Sequence, residues 1–187
     1  MTSGILCDYE IETAHAVGDV VIKPFRPENI QPNSYDVSLG KEIWVMYPTE
    51  DQKPKKVKLP YVIKHGEFVL GTTEETIHIK RNCCVELTGK STPARHGIEV
   101  HLTAGFVDCG FNGNVTLEIV NNGYDYELKA GMLIGQFVFH HSQTPRLPYG
   151  ERNNHYQNQE GPTLPHDLVP IKSSAIREFA KKQRGKK

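Results

Sequence analysis

The run Gly113-Asn114-Val115-Thr116-Leu117-Glu118-Ile119-Val120 alternates polar and apolar side chains along its length. A period of two is the mark of a β-strand with one face in a core, here Val115, Leu117 and Ile119. The same pattern recurs on both sides. Ile98, Val100 and Leu102 alternate with Glu99, His101 and Thr103, and residues 132–141 form a last strand-like run. Upstream, residues 20–23, 34–39, 43–47, 68–70, 76–79 and 84–87 read as short strands, separated by clusters of Gly, Pro, Asn and Asp. Residues 49–58, polar and charged around Pro54, read as an exposed loop. Two short helices are expected, at residues 5–16 behind Thr2 and Ser3, and at residues 91–95, where a small polar residue before Pro suits a helix start. Many short strands joined by tight turns imply a mainly β fold, a distorted β-barrel or jelly roll.

The 187 residues suffice for one domain with a real core. Lys and Arg total 22, as do Asp and Glu, so the formal charge is zero. That balance argues against nucleic-acid binding by bulk charge. The longest nearly apolar stretch, residues 132–139, is far short of the roughly 20 residues of a membrane span. The start, MTSGILCDYE, has no basic segment followed by an apolar one, so no secretory signal is expected. Four cysteines without a C-x-x-C pair fit reduced thiols and a cytoplasmic location. Beyond about residue 142 the composition turns to Pro, Asn, Gln, Gly and His without apolar periodicity. Residues 1–165 are therefore read as one domain whose last part, about 142–165, is an arm or lid. Residues 166–187 are read as a basic tail carrying Arg177, Lys181, Lys182, Arg184, Lys186 and Lys187.

Several side chains stand out as candidates for chemistry. Glu118 points away from the face of Val115, Leu117 and Ile119. It is either a solvated outer-face carboxylate or a general acid–base in a pocket, where burial would raise its pKa. Thr88-Gly89-Lys90-Ser91-Thr92 lacks the Walker spacing, because position 84 is Cys. It still offers amides, hydroxyls and a lysine at a helix start, suited to phosphate or a held water, or it is a plain turn. Asp108 lies in Val107-Asp108-Cys109-Gly110-Phe111-Asn112-Gly113, a hairpin-like segment. The nine histidines form no H-E-x-x-H motif, and the zinc nucleobase-deaminase signature is missing, so no zinc is expected. No G-x-S-x-G elbow is present.

The order of six blocks is more specific than any one of them. Ile30-Gln31-Pro32-Asn33-Ser34-Tyr35-Asp36-Val37-Ser38-Leu39-Gly40 comes first, followed by Gly89-Lys90-Ser91-Thr92-Pro93-Ala94-Arg95-His96-Gly97. Next are His101-Leu102-Thr103-Ala104-Gly105-Phe106-Val107-Asp108 and Gly113-Asn114-Val115-Thr116-Leu117-Glu118. Gly131-Met132-Leu133-Ile134-Gly135-Gln136 and Tyr156-Gln157-Asn158-Gln159-Glu160-Gly161-Pro162-Thr163 complete the series. Across residues 4–165 the chain resembles the dCTP deaminase family, within the trimeric dUTPase-like superfamily.

The resemblance implies a dUTPase-like distorted barrel assembled as a homotrimer, with sites between subunits and a C-terminal segment closing over the nucleotide. It implies zinc-free deamination of dCTP at cytosine C4, with Mg²⁺ accompanying the triphosphate, and dUTP or dTTP as further nucleotides for the site. Glu118 matches the family's acid–base residue, Ser91 and the Ala104 carbonyl the groups holding the attacking water, and Arg95 the arginine orienting the carboxylate. Asp108 matches the aspartate of the nucleoside-binding hairpin. Lys90 and Thr92 match phosphate-binding positions, Gln136 the fourth superfamily motif, and Tyr156 and Gln159 the closing arm. No protein metal ligand is implied.

The chain departs from the family pattern at Pro93, where leucine is usual, at Cys109, where proline is common, and at His155, where many members have a phosphate-binding lysine. Ala104-Gly105-Phe106-Val107-Asp108 resembles the bifunctional members, which deaminate dCTP and release pyrophosphate to give dUMP. The alternatives are a strict deaminase giving dUTP, a dUTPase alone, and a nucleotide-sensing trimer without turnover.

Overall fold

The computed structural model describes residues 4–46, 53–152 and 155–166. Helix α1 (Asp8–Val17) is followed by strands β1 (Val20–Lys23), β2 (Ile30–Gln31), β3 (Ser34–Ser38), β4 (Glu42–Val45), β5 (Lys55–Lys58), β6 (Tyr61–Ile63), β7 (Phe68–Ile79) and β8 (Cys83–Gly89). Helix α2 (Ser91–Arg95) leads into β9 (Ile98–Glu99), β10 (Phe106–Val107), β11 (Asn112–Asn121), β12 (Tyr126–Leu128) and β13 (Leu133–His141). Two sheets carry the fold. One runs β5-β4-β7-β11-β9 with β1 also on β7, the other β10-β8-β13-β3-β2, and β12 and β6 form a small ribbon. All of these pairs are antiparallel.

The sheets enclose one core. Val115, Leu117 and Ile119 enter it from β11, meeting Tyr35, Phe137 and Phe139 from the other sheet among its buried members. Removing such side chains from water supplies the main driving force, roughly 1.5–3 kcal/mol for each large one. The two sheets are tied where Gly40 donates its N–H to Thr72 O at 2.8 Å. A Cβ on Gly40 would lie 2.7 Å from Thr72 Cγ2, so the close approach requires glycine. This is the mainly β, jelly-roll-like fold that the alternation implies.

Several local expectations need correction. Residues 55–58 form an edge strand, not a loop: β5 pairs with β4, and Lys56 bonds Glu42 at 2.7 Å. Residues 68–79 form one continuous strand where the sequence suggested two. Its middle, Thr72, Thr73 and Glu75, is polar yet buried, because each side chain finds a partner. Thr72 donates to Val115 O at 3.2 Å and Thr73 to Glu75 O at 2.7 Å. Glu75 accepts from the Ser38 amide and from Arg26 at 2.9 and 3.1 Å. Burial nevertheless pushes the Glu75 carboxyl up. β9 ends at Glu99, so the alternation through Leu102 continues as irregular chain, and Leu102 is exposed.

Helix α1 starts at Asp8 rather than at residue 5; Thr2 and Ser3 lie outside the described residues. The Glu10 carboxylate accepts the Cys7 N–H at 3.0 Å, and Gly18 ends the helix with a left-handed φ of 79°. Helix α2 occupies residues 91–95, as the Ser-Thr-Pro start implies. The four cysteines are unpaired, and burial pushes the Cys83 thiol up to about 12. No helix among the described residues is long and apolar enough to cross a membrane. The basic tail from residue 167 onward lies outside the described residues.

Candidate active site

On β11, Asn112, Asn114, Thr116 and Glu118 all point away from the core, half-buried, because the intervening residues are the buried set. Glu118 Oε2 accepts the Leu102 N–H at 2.9 Å, and the Glu118 N–H donates to Val100 O at 3.0 Å. The irregular chain after β9 is therefore held against the strand that bears the carboxylate. From the sequence, Glu118 is either solvated on an outer face or set in a pocket. It is only half-buried, since one side of its strand face opens into a cavity rather than a second layer.

That cavity measures ≈ 400 Å³. Its floor is apolar, from Leu70, Val115 and Phe111, and its rim carries Phe106, Tyr149 and Tyr156. Ala104, Asp108, Thr116, Glu118 and Gln159 supply polar atoms and close backbone. An apolar, aromatic slot with a few convergent polar groups suits a planar base.

Asp108 sits on the turn between β10 and β11. Phe111 N–H donates to Asp108 O at 3.2 Å, and Gly110 takes a φ of 95°. A Cβ on Gly110 would lie 2.6 Å from Pro148 Cβ and 2.7 Å from Tyr149 N, so only glycine lets the residues after β13 close against this turn. Tyr149 N–H then donates to Cys109 O at 2.8 Å, which places the Tyr149 ring over Phe111.

The arm expected after residue 142 returns to β11. Gln159 makes a parallel bridge to Gly113, and Asn114 N–H donates to Gln159 O at 3.0 Å. Gln159 Nε2 donates to Asn114 O at 2.6 Å, while its Oε1 accepts from Thr116 Oγ1 at 3.3 Å. Gln157 bridges Asn112 N–H (3.1 Å) and Gly110 O (2.9 Å), and Trp44 Nε1 donates to Pro162 O at 2.9 Å. Tyr156 stands beside the His166 ring at 5.1 Å. His155 is exposed, and its carbonyl accepts from His166 Nε2 at 2.6 Å.

The other candidates lie on β13, just after β8 and on α2. Gln136 pairs in register with Thr88 and Asp36, and Ser34 Oγ donates to Gln136 Oε1 at 3.3 Å. Lys90 is ion-paired with Asp36, itself 1% exposed. Ser91, Thr92 and Arg95 project from α2 as exposed residues, with no side-chain hydrogen bond among the described residues. None of these five lines the Glu118 cavity. One chain thus brings Ala104, Asp108, Glu118, Tyr156 and Gln159 together, and holds Lys90, Ser91, Thr92, Arg95 and Gln136 apart from them.

Sequence reasoning missed Asp36, Thr116, Tyr149 and the two phenylalanines of the slot. Asp36 left a signal: an acid inside the apolar run Tyr35-Asp36-Val37. Its Oδ2 accepts from Gln31 Nε2 at 3.2 Å and meets Lys90, whereas its Oδ1 is buried without a protein partner. Among the described residues no group of three or more His, Cys, Asp or Glu is placed to hold a metal ion.

Comparison with known proteins bears on these halves. A family model described as dCTP deaminase-like matches residues 5–142. The chain is 37% identical over 177 residues to a protein of Bifidobacterium animalis subsp. lactis named dCTP deaminase, dUMP-forming, covering 85% of this chain and 92% of that one. It is 37% identical over 174 residues to the protein of the same name from Methanospirillum hungatei, covering 86% and 94%. The like-named protein of Thermobifida fusca is 35% identical over 192 residues, covering 93% and 98%. Among solved structures, the 2'-deoxycytidine 5'-triphosphate deaminase from Agrobacterium tumefaciens superposes with a TM-score of 0.64 at 19% identity. That match covers 76% of this chain and 49% of the other, about half its length, and supports the fold.

Proposed function

Because the chain belongs to the dCTP deaminase-like family, we propose that it hydrolyses dCTP to dUMP, ammonia and pyrophosphate, using the Glu118 cavity for the base. The observation that carries this is the placement of Glu118 at an aromatic, base-sized slot, its carboxylate fixed by the Leu102 amide. The 35–37% identity to proteins named as dUMP-forming supports the second half of the reaction.

The cytosine enters between Phe106, Phe111 and the Tyr149 and Tyr156 rings. Backbone groups of the Asp108 turn read its edge as an added strand would. A water held by Ser91 Oγ and Ala104 O gives a proton to Glu118 as its oxygen attacks C4. Glu118 passes protons to N3 and to the amino group, and ammonia leaves as the C4 carbonyl forms. A second water then attacks the α-phosphorus, and the bond to the β-phosphate oxygen breaks, releasing pyrophosphate. The balance is dCTP plus two waters giving dUMP, ammonia and pyrophosphate.

Within one chain Lys90, Ser91, Thr92, Arg95 and Gln136 do not line the cavity. The proposal therefore includes a homotrimer in which Lys90, Ser91, Thr92, Arg95 and Gln136 of one copy meet the Glu118 cavity of the next. Lys90 and Thr92 then bind phosphates, and Arg95 orients Glu118. Mg²⁺ carried by the triphosphate would neutralise part of its charge. Such an ion keeps several waters and needs only one or two carboxylates from the protein. Asp36, with Oδ1 buried and unpartnered, would hold one of its waters.

The test is product analysis of purified protein with dCTP and Mg²⁺. Concurrent dUMP, pyrophosphate and ammonia are expected. Accumulating dUTP with ammonia would leave a strict deaminase, and no conversion of dCTP would overturn the reading.

A further inference from the structure

We propose that Asn114 is a positioning residue that clasps the C-terminal arm to the strand carrying Glu118. Every polar atom of Asn114 is engaged, and the partners divide cleanly. Nδ2 faces three successive carbonyls of β7, those of Thr73 (3.0 Å), Glu74 (3.4 Å) and Glu75 (3.1 Å). The other three atoms serve the arm. Oδ1 accepts the Gly161 N–H at 3.2 Å, the backbone N–H donates to Gln159 O at 3.0 Å, and the backbone O accepts Gln159 Nε2 at 2.6 Å.

The β7 side explains why the residue is an amide. The β11–β7 register shifts between Asn114 and Thr116, and the irregularity leaves carbonyls of β7 without ladder partners. A primary amide presents donors on one side and an acceptor on the other. Flipping it would set oxygen against three carbonyls and nitrogen against the Gly161 N–H. Aspartate cannot donate to the carbonyls, and alanine can do neither. The side chain is thus a polarised link from the bulge, through β11, to the arm.

Asn114 lines neither the Glu118 cavity nor the groove on the arm's other side. It reaches a bound nucleotide through the arm, which brings Tyr156 and Gln159 to the cavity. The adjacent Gly113 belongs to the same device: a Cβ there would lie 2.9 Å from Gln159 N. The kinetic consequence rests on the proposed function; the structural one does not.

The experiment is hydrogen exchange on the full chain, wild type against Asn114→Ala, Asn114→Asp and Asn114→Ser, without nucleotide. In the alanine variant the amides of Asn158 and Gly161 should exchange about tenfold faster, as expected when one or two net hydrogen bonds are lost. The aspartate variant keeps an acceptor for the Gly161 N–H and loses the donors to β7, so its arm amides should speed up by a smaller factor. Residues 117–120 should stay as protected as in the wild type, and the serine variant, which keeps an acceptor, should fall between. For dCTP, KM should rise about tenfold with kcat within about threefold. Arm exchange within twofold of the wild type in the alanine variant would overturn the clasp. So would loosening that spreads through 117–120, or a fall in kcat at constant KM. If the wild type does not convert dCTP, the functional reading fails while the exchange result still decides the clasp.

Discussion

Glu118 and Ser91 are both assigned to one water, yet the chain treats them differently. Glu118 lies on a ten-residue strand in the middle of a sheet, with β7 on one side and backbone bonds to residues 100 and 102 on the other. Ser91 begins a five-residue helix, exposed, next to an equally exposed Thr92. The base half of the site is preorganised within one chain. The half proposed to hold water and phosphate leaves Ser91, Thr92 and Arg95 exposed, while Lys90 is paired with Asp36 and Gln136 with Ser34. On the proposed reading a second copy completes a site divided in this way, and the division can be attacked from either side.

The largest effect should come from the rigid half. Glu118→Gln should lower deamination by about 1,000-fold, within the range of a positioned acid–base group, while nucleotide affinity stays within about threefold. Turnover measured beside equilibrium binding checks this, and near-normal turnover would remove Glu118 from the chemistry. Ser91→Ala, on the exposed half, should cost about 100-fold by releasing the water. The comparison sharpens when these two inactive proteins are unfolded together and reassembled. If each site takes Glu118 from one copy and Ser91 from its neighbour, random mixing restores about a quarter of wild-type activity. No recovery would place both residues in one chain's site.

A smaller effect is expected at the arm. Gly113→Ala would press a methyl group toward Gln159, at a φ of 142° that side chains rarely adopt. The KM for dCTP should rise several-fold, roughly the worth of one or two hydrogen bonds, with the base half otherwise intact.

The smallest effect concerns the frame shared by both halves. His15 on α1 stacks on Phe25 with ring centroids 3.9 Å apart and accepts the Ile22 N–H on Nδ1 at 3.3 Å. Burial holds its pKa below the usual 6.5. The unfolded chain therefore takes up a proton that the folded one resists. Stability is full above about 6.5 and falls as pH drops from there toward the lower folded pKa. Thermal unfolding between pH 7.5 and 5.5 should show this loss, and His15→Gln should shrink it. Activity ratios between the two halves should not change.

Legibility in the sequence followed the kind of force at work. β11 and its outward Glu118 were readable because apolar burial repeats every second residue. α2 was readable to its ends because Ser-Thr-Pro is local helix-start chemistry. The centre of β7 was not, since Thr72, Thr73 and Glu75 are buried through long-range hydrogen bonds that leave no periodicity. The arm's existence showed in its composition, but not where it docks. That depends on the amides of Gln157 and Gln159 matching Asn112, Asn114 and Thr116 across more than 40 positions. Asp36 showed as an acid inside an apolar run, but its pairing with Lys90, 54 positions away, did not. The division of the candidate site had no trace in residue order, because Arg95 and Ala104 are close in sequence and belong to different halves.

The outward row on β11 also works as a ruler, and this limits how the gene can change. Asn112, Asn114, Thr116 and Glu118 occupy every second position of one strand, about 6.8 Å apart at each step. A single-codon insertion or deletion within this row would turn every later side chain to the opposite face. Ile119 would move to the cavity and the carboxylate into the core, while the arm kept its old register. Length variation is therefore shut out of this segment and diverted to exposed turns such as residues 122–125, where Tyr124 is 94% exposed. Point substitutions can retune the site, but frame-preserving indels here are lethal to docking and chemistry together.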